Sequence, residues 1–252
     1  MVRSLWSAAT GMNAQQTNVD TIANNLANVN TVGYKAQTAQ FKSLLYQSLQ
    51  TATTTANGDP KPVTSQVGLG VRNSSINSSF TQGSLLASSS DTSFAIEGEG
   101  FFAIRGSDGN TYYTRNGDFT WALNGNSGLI LTNTDGLPVL NSRGTLITVN
   151  ANTPVADQTY DLGLFQFNNP AGLERKGDSL WAVTAASGPA MNEATARNVQ
   201  PSRVVQGYLE GSNVQVADEM VNLIVAQRAY EMNSKAITTT DEMMQTANNL
   251  KR

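Results

Sequence analysis

An α+β protein, with a long helix at each end and an antiparallel β domain between them, is what the 252-residue chain predicts. Three observations carry that expectation. Apolar residues recur at helical spacing over residues 5–29, they do so again over residues 216–250, and between these stretches the rhythm changes to period two, cut at intervals by turn dipeptides.

In the first stretch Leu5, Ala8, Met12, Gln15, Val19, Ile22, Leu26 and Val29 alternate steps of three and four, a heptad a/d pattern that only Gln15 interrupts. A rod from Leu5 to Val29 is about 37 Å long. Its flanks are Asn, Gln, Thr and Ala where a soluble coiled coil carries Glu and Lys; between Met1 and Tyr34 the only charged side chains are Arg3 and Asp20. Such a helix is suited to being surrounded. The run NNLANVNTVGYK, Asn24 to Lys35, contains four asparagines, each costing about 0.5–0.7 kcal/mol against Ala in a helix interior because the amide competes for backbone hydrogen bonds. Amides bonded to neighbouring groups away from water return about 0.5–1.5 kcal/mol each, so the asparagines are expected to bridge to packed neighbours. Gly33 is expected at a left-handed turn just past the helix. Isolated amphipathic helices are marginal in water, which ties their folding to assembly.

Residues 47–79 read as an extended Thr-, Asn- and Pro-containing connection with little helical signal. Beyond it, Asp108-Gly109, Asn116-Gly117, Asn124-Gly125, Asp135-Gly136 and Arg143-Gly144 recur eight to eleven residues apart, the spacing of a compact antiparallel domain. Its strands are expected to bury Phe94, Ile96, Phe101, Ile104, Phe119, Trp121, Leu123, Ile130 and Leu131, and YDLGLFQF and SLWAVT to join the same sheets. The last stretch carries two overlapping helical stripes. Val216, Met220, Leu223, Gln227, Tyr230, Ser234, Ile237, Asp241 and Met244 form one; Val221, Val225, Met232, Ala236, Met243 and Leu250 form the other. A double stripe needs more than one neighbour. Ser212 with Gln215 resembles a capping box, Asp218 and Glu219 suit the helix N-terminus, Lys251 and Arg252 its C-terminus, and Glu231 with Lys235 an i,i+4 pair.

Composition excludes several function classes. Only 14% of residues are charged, against about 25% in an ordinary soluble domain. Uncharged polar groups cost far less than ions to cover with another protein, so this composition suits a surface that ends up buried. A net charge of -3 argues against nucleic acid or an anionic membrane as partner. The absence of His and Cys removes the commonest general base, thiol nucleophiles, disulfides and soft metal sites. MVRSLWSAATGMNAQQ lacks the continuous apolar core of a cleaved signal peptide, and no run approaches the ~20 apolar residues of a membrane span. Gly68-Leu69-Gly70 is too short for a dinucleotide fingerprint, Asp108, Asn110 and Asp118 lack the spacing of a calcium loop and read as hairpin residues, and Glu97 with Glu99 lacks the partners of a glycosidase pair. No catalytic, cofactor or metal residues are expected. By periodicity alone the two helical stretches fit an intramolecular hairpin as well as an intermolecular array; the scarcity of charge favours the array.

NNLANVNTVGYK, EGEGFFAI, YTRNGDF and QGYLEGSNVQVADEMVNLIVAQRAYEMNSKAITTTDEMMQTANNL resemble the bacterial flagellar basal-body rod and hook family across nearly the whole chain. The resemblance implies a structural subunit exported unfolded by the flagellar type III apparatus without a cleaved signal. Subunits polymerise outside the cytoplasm, in the basal body, into a hollow helical tube that serves as export channel and transmits torque. Paired terminal helices would form its inner layer, D0, with coiled-coil-like packing, and the β domain its outer layer, D1. The boundaries so implied are 1–45 for the N-terminal helical D0 segment, 46–75 for the connection, 76–207 for D1 and 208–252 for the C-terminal D0 helix. Asn24, Asn25, Asn28, Gly33 and Tyr34 match the family's N-terminal motif, and Ser212, Asn213, Val214, Gln227, Arg228, Tyr230 and Asn233 its C-terminal one. With the seam residues Leu5, Met12, Val19, Ile22, Leu26, Val29, Met220, Leu223, Ile237 and Met244, they make up the expected assembly interface. Implied partners are further copies of the chain, other rod and hook subunits at the ends, the export apparatus and ring proteins; no cofactor is implied. A length near 250 favours a rod subunit over the longer hook subunit, and residues 46–64 resemble a stretch found in subunits of the distal rod. A proximal rod or hook-like subunit is the nearest alternative. A secreted β-domain that binds a ligand and oligomerises through a helical stalk is the alternative from another class.

Overall fold

A computed structural model describes residues 2–50, 65–124, 128–150, 160–196 and 200–250. Most of the 46–64 stretch, the tip of the Asn124-Gly125 turn, and Lys251 with Arg252 lie outside the described residues. The chain divides into two compact units: a helical unit of residues 1–26, 37–77 and 216–252, and a β unit of residues 27–36 and 78–215.

The helical unit contains α1 (Val2–Ala27) and α2 (Val216–Asn249). Late residues of α1 meet early residues of α2 and the reverse: Asn25 Nδ2 donates to Glu219 Oε1 at 3.0 Å, and a Cβ on Gly11 would lie 2.9 Å from Asn233 Nδ2. The two helices are therefore antiparallel, and Gly11 permits their close approach. Four strands accompany them, β1 (Gln37–Ser43), β2 (Tyr46–Gln50), β3 (Ser65–Gly68) and β4 (Val71–Ser78). β1 pairs with β4 and β2 with β3, and bonds from Leu44 N–H to Gly70 O (2.9 Å) and Leu69 N–H to Leu45 O (3.2 Å) join the two pairs into one ribbon. The ribbon lies along α1, where Thr10 Oγ1 accepts Val71 N–H at 3.3 Å and Thr17 Oγ1 accepts Asn73 Nδ2 at 2.7 Å.

Several expectations are corrected or refined here. The segment 1–45 is helical only to Ala27, and the connection, expected to be extended, is built where it is described of paired strands, 37–50 with 65–78. Positive φ at Gly33 (68°) turns the chain after α1, and QTAQFKS then gains a ladder partner that the helix could not supply. The capping box does not form either. α2 starts at Val216, and Ser212 Oγ accepts Val214 N–H at 3.3 Å. Glu231 pairs with Arg228 at 2.8 Å rather than with Lys235.

The β unit contains β5 (Leu85–Ala87), β6 (Phe94–Glu97), β7 (Phe101–Arg105), β8 (Thr111–Thr114), β9 (Phe119–Asn124), β10 (Gly128–Asn133), β11 (Thr148–Asn150), β12 (Leu164–Gln166), β13 (Glu174–Gly177), β14 (Leu180–Ala182), β15 (Met191–Asn192), β16 (Arg203–Gln206) and β17 (Tyr208–Glu210). An antiparallel sheet of order β13-β14-β8-β7-β12-β15 holds the centre, with a β11-β10-β9 sheet and the pairs β16-β6 and β17-β5 around it. Central β7 is buried on both faces, as its continuous FFAI run requires. Phe102 and Ile104 enter one core with Phe119, Leu131 and Val139, and Phe101 and Ala103 enter another with Tyr113, Phe167 and Trp181.

Asp108-Gly109, Asp135-Gly136 and Arg143-Gly144 turn the chain as expected, with glycine φ of 76–79°. Asn116-Gly117 does something else. It carries the chain from β8 to β9, which lie in different sheets, and Gly117 sits so close to the Phe94 carbonyl that no side chain fits. Leu123 is the exception in the expected core, 80% exposed at the far end of β9.

Candidate assembly surface

Along α1 the seam is covered within the chain: Ala8 and Ile22 are buried, and Leu5, Met12, Val19 and Leu26 half-buried. Just beyond the helix end, in the β unit, Val29 is half-buried too. The opposite side of α1, including Arg3, Trp6, Asn13, Gln16, Asp20 and Asn24, is exposed. That side is the outer face the sequence reading did not provide for. On α2 the inward side is a narrow stripe of Leu223, Ala226, Asn233, Ile237, Thr240 and Met244, while Met220, Gln227, Arg228 and Tyr230 are exposed. The second stripe stays open throughout, with Val225 62%, Met232 74% and Leu250 83% exposed. Val19, Gln227 and Tyr230 come together with Gln16 and Glu231 around an open cleft of about 370 Å³.

Asn25 answers for part of the asparagine cost inside one chain. Its side chain is almost fully buried, accepts Gln37 N–H at 2.8 Å, and donates to Gln37 O at 2.8 Å and to Glu219 Oε1 at 3.0 Å. One amide thus satisfies both backbone groups of the first ribbon residue and ties α1 to α2. Asn28 Oδ1 accepts the Thr31 hydroxyl at 3.1 Å in the turn that follows.

Gly33 and Tyr34 belong to the β unit rather than with the seam residues 1–26. Gly33 needs its left-handed φ, and a Cβ there would lie 2.6 Å from Asn116 N, so two constraints exclude any other residue. Tyr34 is buried. Asn213 bonds Ala36 N–H through Oδ1 at 2.7 Å and Ser79 O through Nδ2 at 2.9 Å. Sequence reasoning missed Lys35, Arg115 and Glu210, all at most 2% exposed. Their signal was present: each lies inside a quoted motif, VGYK, YTRNGDF or YLEGSN, in a chain where charge is scarce.

Glu97 is exposed at the end of β6, and the neighbouring Gly100 N–H donates to Ser202 Oγ at 2.9 Å. The glycines of EGEG thus allow backbones to approach. Among the described residues no cluster of potential metal ligands occurs, and no helix is long and apolar enough to cross a membrane.

Helices at both ends around a β-rich middle define the class of axial subunits in which three family models match the chain. These are "Flagella basal body rod protein" over residues 5–35, "Flagellar hook protein FlgE/F/G D1 domain" over 95–159, and "Flagellar basal body rod FlgEFG protein C-terminal" over 205–250. The chain is 42% identical over 267 residues to the flagellar basal-body rod protein FlgG of Borreliella burgdorferi, with 100% of both chains covered. It is 41% identical over 254 residues to that of Agrobacterium fabrum (96% of this chain, 97% of the relative) and 39% over 257 residues to that of Buchnera aphidicola subsp. Schizaphis graminum (97% and 98%). The chain belongs to the flagellar basal-body rod protein family, and its role is structural.

Proposed function

We propose that this rod subunit self-assembles into the distal part of the rod as a hollow helical tube, with its two end helices packed in a coiled-coil-like inner layer and its β unit outside them. The observation that supports this reading is the second stripe of α2. Val221, Val225, Met232, Met243 and Leu250 are exposed along a helix whose other side already packs within the chain. Burying each such side chain is worth about 1.5–3 kcal/mol, enough over several residues to drive polymerisation. Met220, Gln227, Arg228 and Tyr230 of the same helix are exposed as well and form the rest of the proposed interface, while the α1 seam is covered within the chain. Torque then passes through interlocked helices, and the lumen serves as the export route for a subunit delivered unfolded by the flagellar type III apparatus. The partners in this reading are copies of the chain along the shaft, other rod and hook subunits at its ends, and ring proteins around it.

The test is polymerisation of the full chain at high concentration, followed by electron microscopy and sedimentation. Val225→Asp combined with Met232→Asp is expected to abolish filaments while the near-ultraviolet spectrum of the β unit stays unchanged. Filaments indistinguishable from those of the unsubstituted chain would remove the α2 stripe from the interface.

A further inference from the structure

Lys35, Arg115 and Glu210 come from three separate parts of the β unit: the segment that follows α1, the β8–β9 connection and the last residue of β17. Lys35 Nζ donates to Glu210 Oε1 at 2.7 Å and to Thr81 O at 2.9 Å, and Gly83 N–H reaches the same carboxylate oxygen at 3.0 Å. Arg115 Nη1 lies 3.5 Å from Glu210 Oε2.

The contacts continue through aromatic rings. The Arg115 guanidinium sits 4.8 Å over Phe101, Phe101 meets Phe80 edge-on at 5.5 Å, and Phe80 lies 4.9 Å from Trp181. Arg175 then stacks between Trp181 (4.8 Å) and Tyr34 (4.9 Å) and donates to the Lys35 carbonyl at 3.0 Å. The path closes where it began. Backbone bonds run alongside it: Gly33 N–H to Glu210 O at 2.8 Å and Gly211 N–H to Ser84 O at 2.8 Å.

This arrangement is a poor source of net stability and a strong source of coupling. Two cations share one buried anion, and desolvation holds both Lys35 and Arg115 below their ordinary pKa values while Glu210 opposes it. An intact buried ion pair roughly breaks even against apolar residues, whereas removing one partner strands the other. The members of such a ring therefore stay or leave together.

We infer that residues 33–36 and 210–213, which close the chain's first and second passages through the β unit, lock one another through Glu210 as a two-ended clasp, neither end holding without the other. The inference is independent of how copies of the chain assemble. It also means that the central domain is not self-sufficient: residues 76–207 alone lack both halves of the clasp.

Native-state hydrogen exchange on the dilute full chain tests it. The amides of Gly33, Ala36 and Gly211 are expected to show protection factors within about threefold of one another. Lys35→Met touches neither partner of the Gly211–Ser84 bond, yet it is expected to lower protection at Gly211 by the same factor as at Gly33, about tenfold or more. Glu210→Gln, which keeps the shape but removes the charge and turns one acceptor oxygen into a donor, is expected to loosen both ends likewise. Loss confined to one end, in either variant, would overturn the clasp. Should both variants fail to fold, the unsubstituted chain still decides: Gly33 and Ala36 exchanging a hundredfold faster than Gly211 would show the ends to be independent.

Discussion

The two units of this chain use apolar residues in opposite ways. In the β unit Phe101, Phe102, Ala103 and Ile104 of one strand are all fully buried by the same chain, and aromatic rings from several other segments close around them. In the helical unit α2 runs 34 residues with only Ala226 and Thr240 fully buried. Its valines and Met220, Met232 and Met243 stay open to solvent, as does Leu250 just beyond its end. A strand in mid-sheet has neighbours on both sides and both faces, so one chain can finish its burial. Two antiparallel helices and a two-stranded ribbon cannot enclose a double stripe, because each helix offers the other only one side. The difference teaches where self-sufficiency ends in this molecule: the β unit completes its own core, and the helical unit leaves an apolar stripe exposed.

The largest expected effect attacks the self-sufficient side. Phe102→Ala removes a fully buried ring packed edge-on against Phe119 at 5.2 Å and is expected to cost about 3–5 kcal/mol. In a denaturant titration the near-ultraviolet signal should shift to lower midpoint while helical ellipticity at 222 nm is retained. Simultaneous loss of both signals would break the comparison, since the units would then fold as one.

Next in size is Asn25→Ala in the helical unit. It removes three hydrogen bonds and leaves the Gln37 backbone groups unmatched, for an expected cost of about 1–3 kcal/mol. Helical ellipticity should now fall at lower denaturant with the near-ultraviolet midpoint unchanged, the mirror image of Phe102→Ala.

Alkaline pH sharpens the account of the β unit, because two of its buried groups respond with opposite sign. Desolvation lowers the Lys35 pKa, so the unfolded chain binds more protons between that lowered value and the ordinary ~10.4. Stability therefore rises with pH through this window. Burial raises the Tyr113 pKa, so its contribution is complete below the ordinary value of ~10 and is lost as pH climbs through the raised native value; Tyr160, also raised by burial, acts in the same direction. The expected profile of denaturation midpoint against pH climbs towards pH ~10 and then declines. Tyr113→Phe should flatten the decline and Lys35→Met the climb; an unchanged profile in either variant would contradict the assignment.

The smallest expected effect lies on the open side. Val225→Ala should leave monomer stability within about 0.5 kcal/mol, as for a surface position. A loss of 2 kcal/mol or more, on the scale of a core truncation, would mean that α2 is already covered in the monomer.

Much of this was legible in the residues. The heptad steps from Leu5 to Leu26 and the double stripe of α2 follow from 3.6 residues per turn, and three of the Gly turns from the need for positive φ. The strands of residues 37–50 were not, because QTAQFKS and YQSLQ carry weak alternation and gain strand form only from partners in β4 and β3, beyond the reach of a local pattern. The role of Asn116-Gly117 was equally hidden, since a turn dipeptide reads the same whether the chain folds back or passes into another sheet.

By itself, then, the sequence determined the helix–β–helix order, most of the core and the apolar stripes, because each depends on backbone geometry repeated over a few neighbouring residues. Only the tertiary structure decided that Lys35, Arg115 and Glu210 share one buried site, that Gly33 and Tyr34 belong to the β unit, and that Asn25 finds its partners within the chain. Burial of a charge or an amide is set by what the rest of the chain brings to it from far along the sequence, and local periodicity carries no trace of that.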